Sequence, residues 1–311
     1  MSALIALDWG TSSLRAQLLD ADGVAVETRT RPWGIMHTPA GDFATAFRTL
    51  VGDWRERWPD APALACGMIG SRNGWREVPY VDAPADAAEL AKGLLSFDSG
   101  CGDLHLVPGV MQRGELPNVL RGEETQVFGA LQMCPELVER GVLVLPGTHS
   151  KWVDVCEGRL ERFATYMTGE LFAVLRDHSI LGRPARDEGH EGAADAFQLG
   201  LRNARDAGAQ GIASRLFTTR SLYLAEALPA AHTLDYLSGL LIGEELRSVV
   251  ASLHDEACPP LVLIGDAALC DRYRQALAFY GITETRHLEH ATRAGLWQIA
   301  TAAGLVAARA S

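Results

Sequence analysis

Apolar and polar positions along this chain follow two alternating periods. The run ALIALDW at 3–9 reads as a buried strand, and Leu14–Leu19 reads as a second strand across the turn Gly10, Thr11, Ser12, Ser13. The DADG segment at 20–23 is a turn signal, and Val24–Thr30 alternates like a strand returning beside its neighbour. Helical spacing then covers Phe43–Trp58, followed by an apolar strand Leu64–Ile69, a helix Ala85–Leu95, a strand Leu104–Val110 and a helix Thr125–Met133. A second strand group begins with Val142–Leu145, runs on to Cys156, turns at Glu157 and Gly158, and returns over Arg159–Tyr166. Beyond it the spacing predicts helices at Glu170–Leu181, Ala193–Asp206, Ile212–Leu228 and Leu234–Leu253. The chain closes with strand Leu261–Ile264, helix Ala267–Tyr280, strand Glu284–Leu288 and a last helix from Ala291. Strands separated by helices predict an α/β layer architecture.

The two strand groups match each other. With Gly10 set against Gly147, 137 residues on, each reads as strand, glycine, threonine, a hydroxyl residue at the same offset (Ser13 and Ser150), strand, Gly-containing turn, strand. This is the pattern of a duplicated unit, and also of two unrelated hairpins. At 311 residues the chain is long enough for two domains of about 150 residues each, and no low-complexity tether divides it.

Composition narrows the classes. Apolar residues are 48% and charged residues 22%, as expected of a globular chain, and the net charge of −11 is opposite in sign to that of a general nucleic-acid binder. Cys66, Cys101, Cys134, Cys156, Cys258 and Cys270 are scattered without a CxxC pair or zinc spacing, so reduced thiols in a cytoplasmic compartment are expected. No apolar stretch approaches the roughly 20 residues of a membrane helix, and Met1 leads directly into LIALDWG without the features of a signal peptide.

The strand end at Asp8 and the turn behind it carry the most chemistry. Glycine lets backbone N–H groups approach an anion, the hydroxyls of Thr11, Ser12 and Ser13 add donors, and a carboxylate at the strand end suits hydrated Mg²⁺. A turn capped by Thr and Ser has the same local sequence. A second such turn at Gly147–Lys151 favours a phosphate chain held from two sides. The sequence has no GxxxxGK[ST], GxGxxG after a strand, GxSxG or HExxH motif.

These paired hairpins resemble those of the actin, hexokinase and Hsp70 superfamily of two-domain ATP-binding folds. Longer segments are more specific: DWGTSSLRAQLLD, CGMIGSRNGW, LRGEETQVFGAL, LPGTHSKW, TGELF, DYLSGLLIG, LIGDAALCDRY and ATRAGLW are similar to the 2-dehydro-3-deoxygalactonokinase family of sugar-acid kinases. They occur in order from residue 8 to residue 297. The resemblance implies a two-domain actin-like ATPase (ribonuclease H-like) fold with an ATP cleft between lobes. An N-terminal lobe at 1–140 would carry the first phosphate loop and sugar-acid site, and a C-terminal lobe at 141–311 the second loop, a helical insertion and the adenosine site. Residues beyond about 290 suit either lobe.

The resemblance further implies ATP and Mg²⁺ as cofactors, with transfer of the γ-phosphoryl group to the C6 hydroxyl of 2-dehydro-3-deoxy-D-galactonate. Asp8, Gly10, Thr11, Ser12 and Ser13 would form the first phosphate loop, with Asp8 also facing the metal; Gly147, Thr148, His149, Ser150 and Lys151 would form the second. Gly265 and Asp266 would sit at the adenosine, where the superfamily usually shows a run of glycines and this chain has one. Glu124, and behind it Glu123, is the candidate base, with helix capping as the structural alternative. Arg15, Arg72 and Arg121 are candidate grips on an acidic substrate, with Asn73 and Trp75 beside the sugar. Lys151, one of two lysines against 26 arginines, suits either a phosphoryl contact or a strand position. The expected partner is a small-molecule sugar acid, without nucleic acid or membrane, and a homo-oligomer remains open. A kinase of another keto or aldonic acid and a non-catalytic actin-like nucleotide sensor stay as alternatives.

Overall fold

Three strands open the chain: β1 (Ser2–Trp9), β2 (Leu14–Asp20) and β3 (Ala25–Arg31). The structure is a computed structural model that describes residues 2–253 and 259–307, so Cys258 lies outside the described residues. After the meander come α1 (Phe43–Arg57), β4 (Ala63–Cys66), β5 (Val81–Asp82), α2 (Ala87–Lys92), β6 (Leu95–Asp98), β7 (Asp103–Leu106), β8 (Val110–Gln112), β9 (Asn118–Leu120) and α3 (Glu123–Met133). The sheet order is β3-β2-β1-β4-β7-β6, with β1 antiparallel to β2 and parallel to β4. A small sheet orders β5-β8-β9. Trp9, Phe47 and Trp54 are fully buried between the large sheet and α1.

A second set follows: β10 (Arg140–Leu145), β11 (Ser150–Cys156), β12 (Arg159–Tyr166), α4 (Thr168–His178), α5 (Arg183–Glu188), α6 (Ala194–Arg205), α7 (Thr218–Leu224), α8 (Thr233–Leu253), β13 (Leu261–Ile264), α9 (Ala267–Phe279), β14 (Thr285–Leu288) and α10 (Ala291–Ala302). Its sheet order, β12-β11-β10-β13-β14, repeats β3-β2-β1-β4-β7 of the first sheet. Gly10 follows β1 as Gly147 follows β10, so the matching seen in sequence extends to topology.

Several elements differ from the sequence expectation, each for a local reason. The strand expected over 64–69 ends at Cys66, because Gly67 turns the chain at φ +93° into a short 3-10 turn. The helix expected over 85–95 starts at Ala87, where Asp86 and Glu89 form a reciprocal capping box, and Leu95 begins β6 instead. The strand expected over 104–110 divides at Pro108, which lacks the N–H a ladder needs, giving β7 and β8. The segment expected as one helix over 212–228 contains a 3-10 turn and the shorter α7.

The chain divides into two units. Of the described residues, those up to Gly141, Val153–Phe163 and those from Leu288 onward form the first, while Val142–Trp152 and Ala164–His287 form the second. The expected division at 140/141 therefore differs in two segments. The hairpin at 153–163 joins the first unit because Ala85 bridges Leu160 and Arg159 reaches Asp86 and Glu89. Helix α10 joins it because it lies directly on α3. A Cβ at Gly295 would come 1.8 Å from the Thr125 carbonyl oxygen, and one at Gly129 would come 1.8 Å from that of Ala291.

This contact sets a stability expectation. Gly295→Ala should lower unfolding free energy by about 2 kcal/mol or more, because the methyl has no space between the helices. Gly52→Ala in α1, whose new methyl would meet only Arg48 Cγ at 3.6 Å, should stabilise by up to about 1 kcal/mol. Urea denaturation of both variants checks the pair.

Candidate active site

In the first unit the site grows from the end of β1. Gly10 N–H donates to the Ser13 carbonyl at 3.0 Å, closing a turn that leaves Thr11, Ser12 and Ser13 exposed. Asp8 lies across the ladder from Arg15. Burial pushes the Asp8 carboxyl up, Arg15 pulls it down, and nearby Glu123 pushes it up again. Gly67 makes this convergence possible: a Cβ there would lie 2.9 Å from the Trp9 carbonyl oxygen, and one at Gly122 would lie 3.2 Å from Gly67 Cα. The end of β4 therefore brings the start of α3 against the end of β1.

Helix α3 has glycine at its N-cap, so no cap side chain serves its first N–H groups. The two glutamates instead fold back onto the N–H groups just ahead of the helix. Glu123 Oε2 accepts from Arg121 N–H at 2.9 Å, and Glu124 Oε2 accepts from Gly122 N–H at 2.6 Å. Glu124 Oε1 also accepts from the Thr125 hydroxyl at 3.0 Å. Glu124 is fully buried, whereas Glu123 is partly exposed. Burial, then the charge of Glu123, pushes the Glu124 carboxyl up to about 7 despite the donors that oppose the rise. The Cys66 thiol beside them is pushed well up, by burial and then by Asp8 and Glu124.

The candidate substrate residues divide by setting. Arg121 is half-buried: its guanidinium stacks over Tyr80 at 4.2 Å and donates from Nη2 to the Val78 carbonyl at 2.9 Å. Its Nη1 is buried and has no hydrogen-bond partner among the described residues. Arg15, Arg72 and Asn73 are exposed. Trp75 belongs to an aromatic cluster, edge-on to Trp9 and Phe97 and stacked with Phe43, so its ring is packed among aromatics.

In the second unit, Gly147, Thr148 and His149 form an accessible loop after β10. Gly169 sits against Gly147, Glu170 N–H donates to the Thr148 carbonyl at 2.9 Å, and His149 Nε2 meets Glu170 Oε2 at 2.5 Å. Two residues expected at a phosphate point elsewhere. Ser150 is fully buried and its hydroxyl donates to Glu245 at 2.7 Å, while Lys151 is buried in β11 with Nζ donating to the Thr165 hydroxyl at 2.8 Å. Consecutive residues of β11 point to opposite faces, and both faces are covered at its start, so the side chains able to meet an anion here are those of Thr148 and His149.

Gly265 repeats the geometry of Gly67. It follows β13 at φ +154°, and a Cβ there would lie 3.2 Å from the Pro146 carbonyl oxygen. Asp266 then caps α9 through Leu269 N–H at 3.1 Å. Between this helix start, α4 and α8 lies a cavity of about 340 Å³ bounded by Gly147 and Ala268, with apolar walls from Phe172, Leu241 and Leu269. Its polar wall holds Asp235 ion-paired with Arg272, and Arg272 Nη1 is a buried donor without a partner among the described residues. The size and the mix of apolar and polar walls suit a nucleoside.

The sequence reading did not single out Thr168, Asp235, Arg272 or Glu245. Three of them lie within segments that already resembled the sugar-acid kinases: Thr168 in TGELF, Asp235 in DYLSGLLIG and Arg272 in LIGDAALCDRY, while Glu245 falls two residues past DYLSGLLIG. No spacing rule marks them, because their partners are far away in the chain.

Two sheets of one strand order, each with a Gly-hydroxyl loop after its first strand, define an α/β fold of the actin-like ATPase type. The chain matches the family 2-keto-3-deoxy-galactonokinase over residues 8–299. It is 34% identical over 303 residues to the 2-dehydro-3-deoxygalactonokinase of Escherichia coli strain K12, covering 96% of this chain and 97% of that one. The crystal structure of a candidate 2-dehydro-3-deoxygalactonokinase from Sinorhizobium meliloti superposes with a TM-score of 0.87 at 33% identity, covering 96% of this chain and 98% of that one. Component A of the (R)-2-hydroxyglutaryl-CoA dehydratase of Acidaminococcus fermentans shares the fold, with a TM-score of 0.53 at 16% identity over 96% of this chain and 98% of that one. The chain belongs to the 2-keto-3-deoxy-galactonokinase family, a family of ATP-using kinases that act on a small sugar acid.

Glu124 links the site to stability. Its folded pKa of about 7 lies above the ordinary 4.5, so the folded state keeps a proton that the unfolded state releases. Its contribution is fully present below pH 4.5 and is lost as pH rises to about 7, by up to about 3 kcal/mol. Glu124→Gln should flatten this decline, and unfolding free energies of both proteins at pH 5 and pH 8 measure it.

Proposed function

We propose that this chain phosphorylates 2-dehydro-3-deoxy-D-galactonate at its C6 hydroxyl with ATP, giving ADP and 2-dehydro-3-deoxy-6-phosphogalactonate. The observation that carries the reading is the pair of glutamates at the start of α3, held beside Asp8, in a chain of this family. The hydroxyl oxygen forms a bond to the γ-phosphorus, the bond from that phosphorus to the β–γ bridging oxygen breaks, and ADP leaves with the electron pair. The hydroxyl proton passes to a carboxylate.

Glu123 is the base in this proposal. A base must come within hydrogen-bond reach of the hydroxyl, and Glu123 is partly exposed, whereas both oxygens of buried Glu124 accept donors from its own turn. The sequence ranks Glu124 first, and its pKa near 7 is a specific point in its favour, so the two variants must be compared. Arg121 suits the substrate carboxylate, since its Nη1 lacks a partner while stacking and Nη2 hold the guanidinium plane. Arg72 and Asn73 are accessible for further contacts.

In the second unit the nucleoside takes the cavity beside Gly147 and Ala268, where the orphaned Arg272 Nη1 offers a donor, and the phosphates face Thr148 and His149. Asp8 suits Mg²⁺. No cluster of three or more His, Cys, Asp or Glu side chains able to hold a metal occurs among the described residues, and Mg²⁺ needs none when phosphates and water fill most of its shell. The ion would offset phosphate charge, while Thr11 and Ser12 supply neutral donors. No described helix is long and apolar enough to cross a membrane. The scattered cysteines, without paired spacing, suit a reducing cytoplasm.

ADP release should depend on the acceptor when 2-dehydro-3-deoxygalactonate, its gluconate epimer, galactonate, galactose and no acceptor are compared. Equal turnover of both epimers would withdraw the narrow substrate, and turnover with none of them would withdraw the kinase. Glu123→Gln should lower kcat by about 10²- to 10⁴-fold with the KM for ATP nearly unchanged. A larger loss in Glu124→Gln than in Glu123→Gln would transfer the role of base to Glu124.

A further inference from the structure

The cavity of the second unit is organised around a side chain that does not line it. Glu245 lies one turn beyond Leu241 and Ile242 on α8, is 2% exposed, and accepts four hydrogen bonds. Oε1 takes the Ser150 hydroxyl and the Trp152 indole N–H, both at 2.7 Å, from β11. Oε2 takes the Tyr273 hydroxyl of α9 at 2.7 Å and the Thr168 hydroxyl that begins α4. All four donors are neutral. They come from three elements, β11, α4 and α9, and two of them, Thr168 and Tyr273, stand on the cavity wall.

We propose that Glu245 is a positioning residue for the nucleotide: by holding Ser150, Thr168 and Tyr273 on one carboxylate it fixes the end of the second phosphate loop relative to two walls of the nucleoside cavity. The inference rests on the nucleotide reading of that cavity. An ionised carboxylate only accepts, so its two oxygens serve all four donors at once. An amide of the same size cannot. The Trp152 N–H can only donate, so the amide oxygen of a glutamine must face β11 and its NH₂ must face Thr168 and Tyr273. Those two hydroxyls would then have to turn round and accept. Substituting the amide thus disturbs the cavity wall while keeping volume and the contacts to β11.

The test uses the full chain as wild type, Glu245→Gln and Trp152→Phe, with ATP binding by calorimetry, KM for ATP and for the sugar acid, and melting temperature. Trp152 is not on the cavity wall, and its phenyl replacement removes one donor from Oε1. Glu245→Gln should raise both the Kd and the KM for ATP about tenfold, equivalent to about 1.4 kcal/mol, with the KM for the acid within twofold. Trp152→Phe should move the ATP values in the same direction by about threefold. ATP values within twofold of wild type in Glu245→Gln would overturn the proposal, as would a uniform worsening of both KM values together with a lowered melting temperature. If Glu245→Gln does not fold, unchanged ATP values in Trp152→Phe overturn it. Wild type that binds no ATP would instead reject the nucleotide reading on which the proposal rests.

Discussion

Each sheet depends on one close approach, between the carbonyl that ends its first strand and the glycine that ends its fourth. Gly67 reaches the Trp9 carbonyl and Gly265 reaches that of Pro146, each with a positive φ that an L side chain rarely adopts. A side chain at either place would push the fourth strand's exit away from the loop after the first strand. In the first unit the approach seats the start of α3 beside Asp8, and in the second it brings the start of α9 to the loop at Gly147. The chemistry of both units follows from these contacts between backbones.

The two units use their carboxylates in opposite ways. Asp8, Glu123 and Glu124 crowd like charges at one place, and the cost appears in the raised carboxyls of Asp8 and Glu124. Such crowding is tolerable where a cation is expected and where a proton is to be accepted. Glu245 instead sits alone among neutral donors, four of which offset part of the cost of its burial. The first arrangement raises carboxyl pKa values, and the second gathers donors from three elements on one side chain.

Free energy at the α3 start is shared between capping and chemistry. With Gly122 at the N-cap, the two glutamates fold back to accept the N–H groups of Arg121 and Gly122 and so fix the entry to the helix, whereas a Ser or Asp cap would serve N–H groups inside its first turn. Capping and a catalytic role, which the sequence presents as alternatives, are therefore compatible here. Glycine suits this place because Gly122 has φ +113° and a Cβ on it would come 3.2 Å from Gly67 Cα, which leaves little room for a capping side chain.

Local pattern by itself determined much of this protein. Strand alternation, Gly-hydroxyl turns and helical spacing give the two meanders, the loops at Gly10 and Gly147, and most long helices, because each depends on neighbours within a few residues. The short strands β5, β6, β8 and β9 escaped, since they are two to four residues long and none is an unbroken apolar run like the LVLI of β13. Only the tertiary structure decided which side chains face the site. It buried Ser150 and Lys151, packed Trp75 among aromatics, buried Glu124 and left Glu123 partly exposed, and placed α10 on α3. It also joined Asp235 to Arg272 and gathered four donors on Glu245 from as many as 95 residues away. Burial and partnership at such separations are fixed by packing, and sequence spacing carries no trace of them.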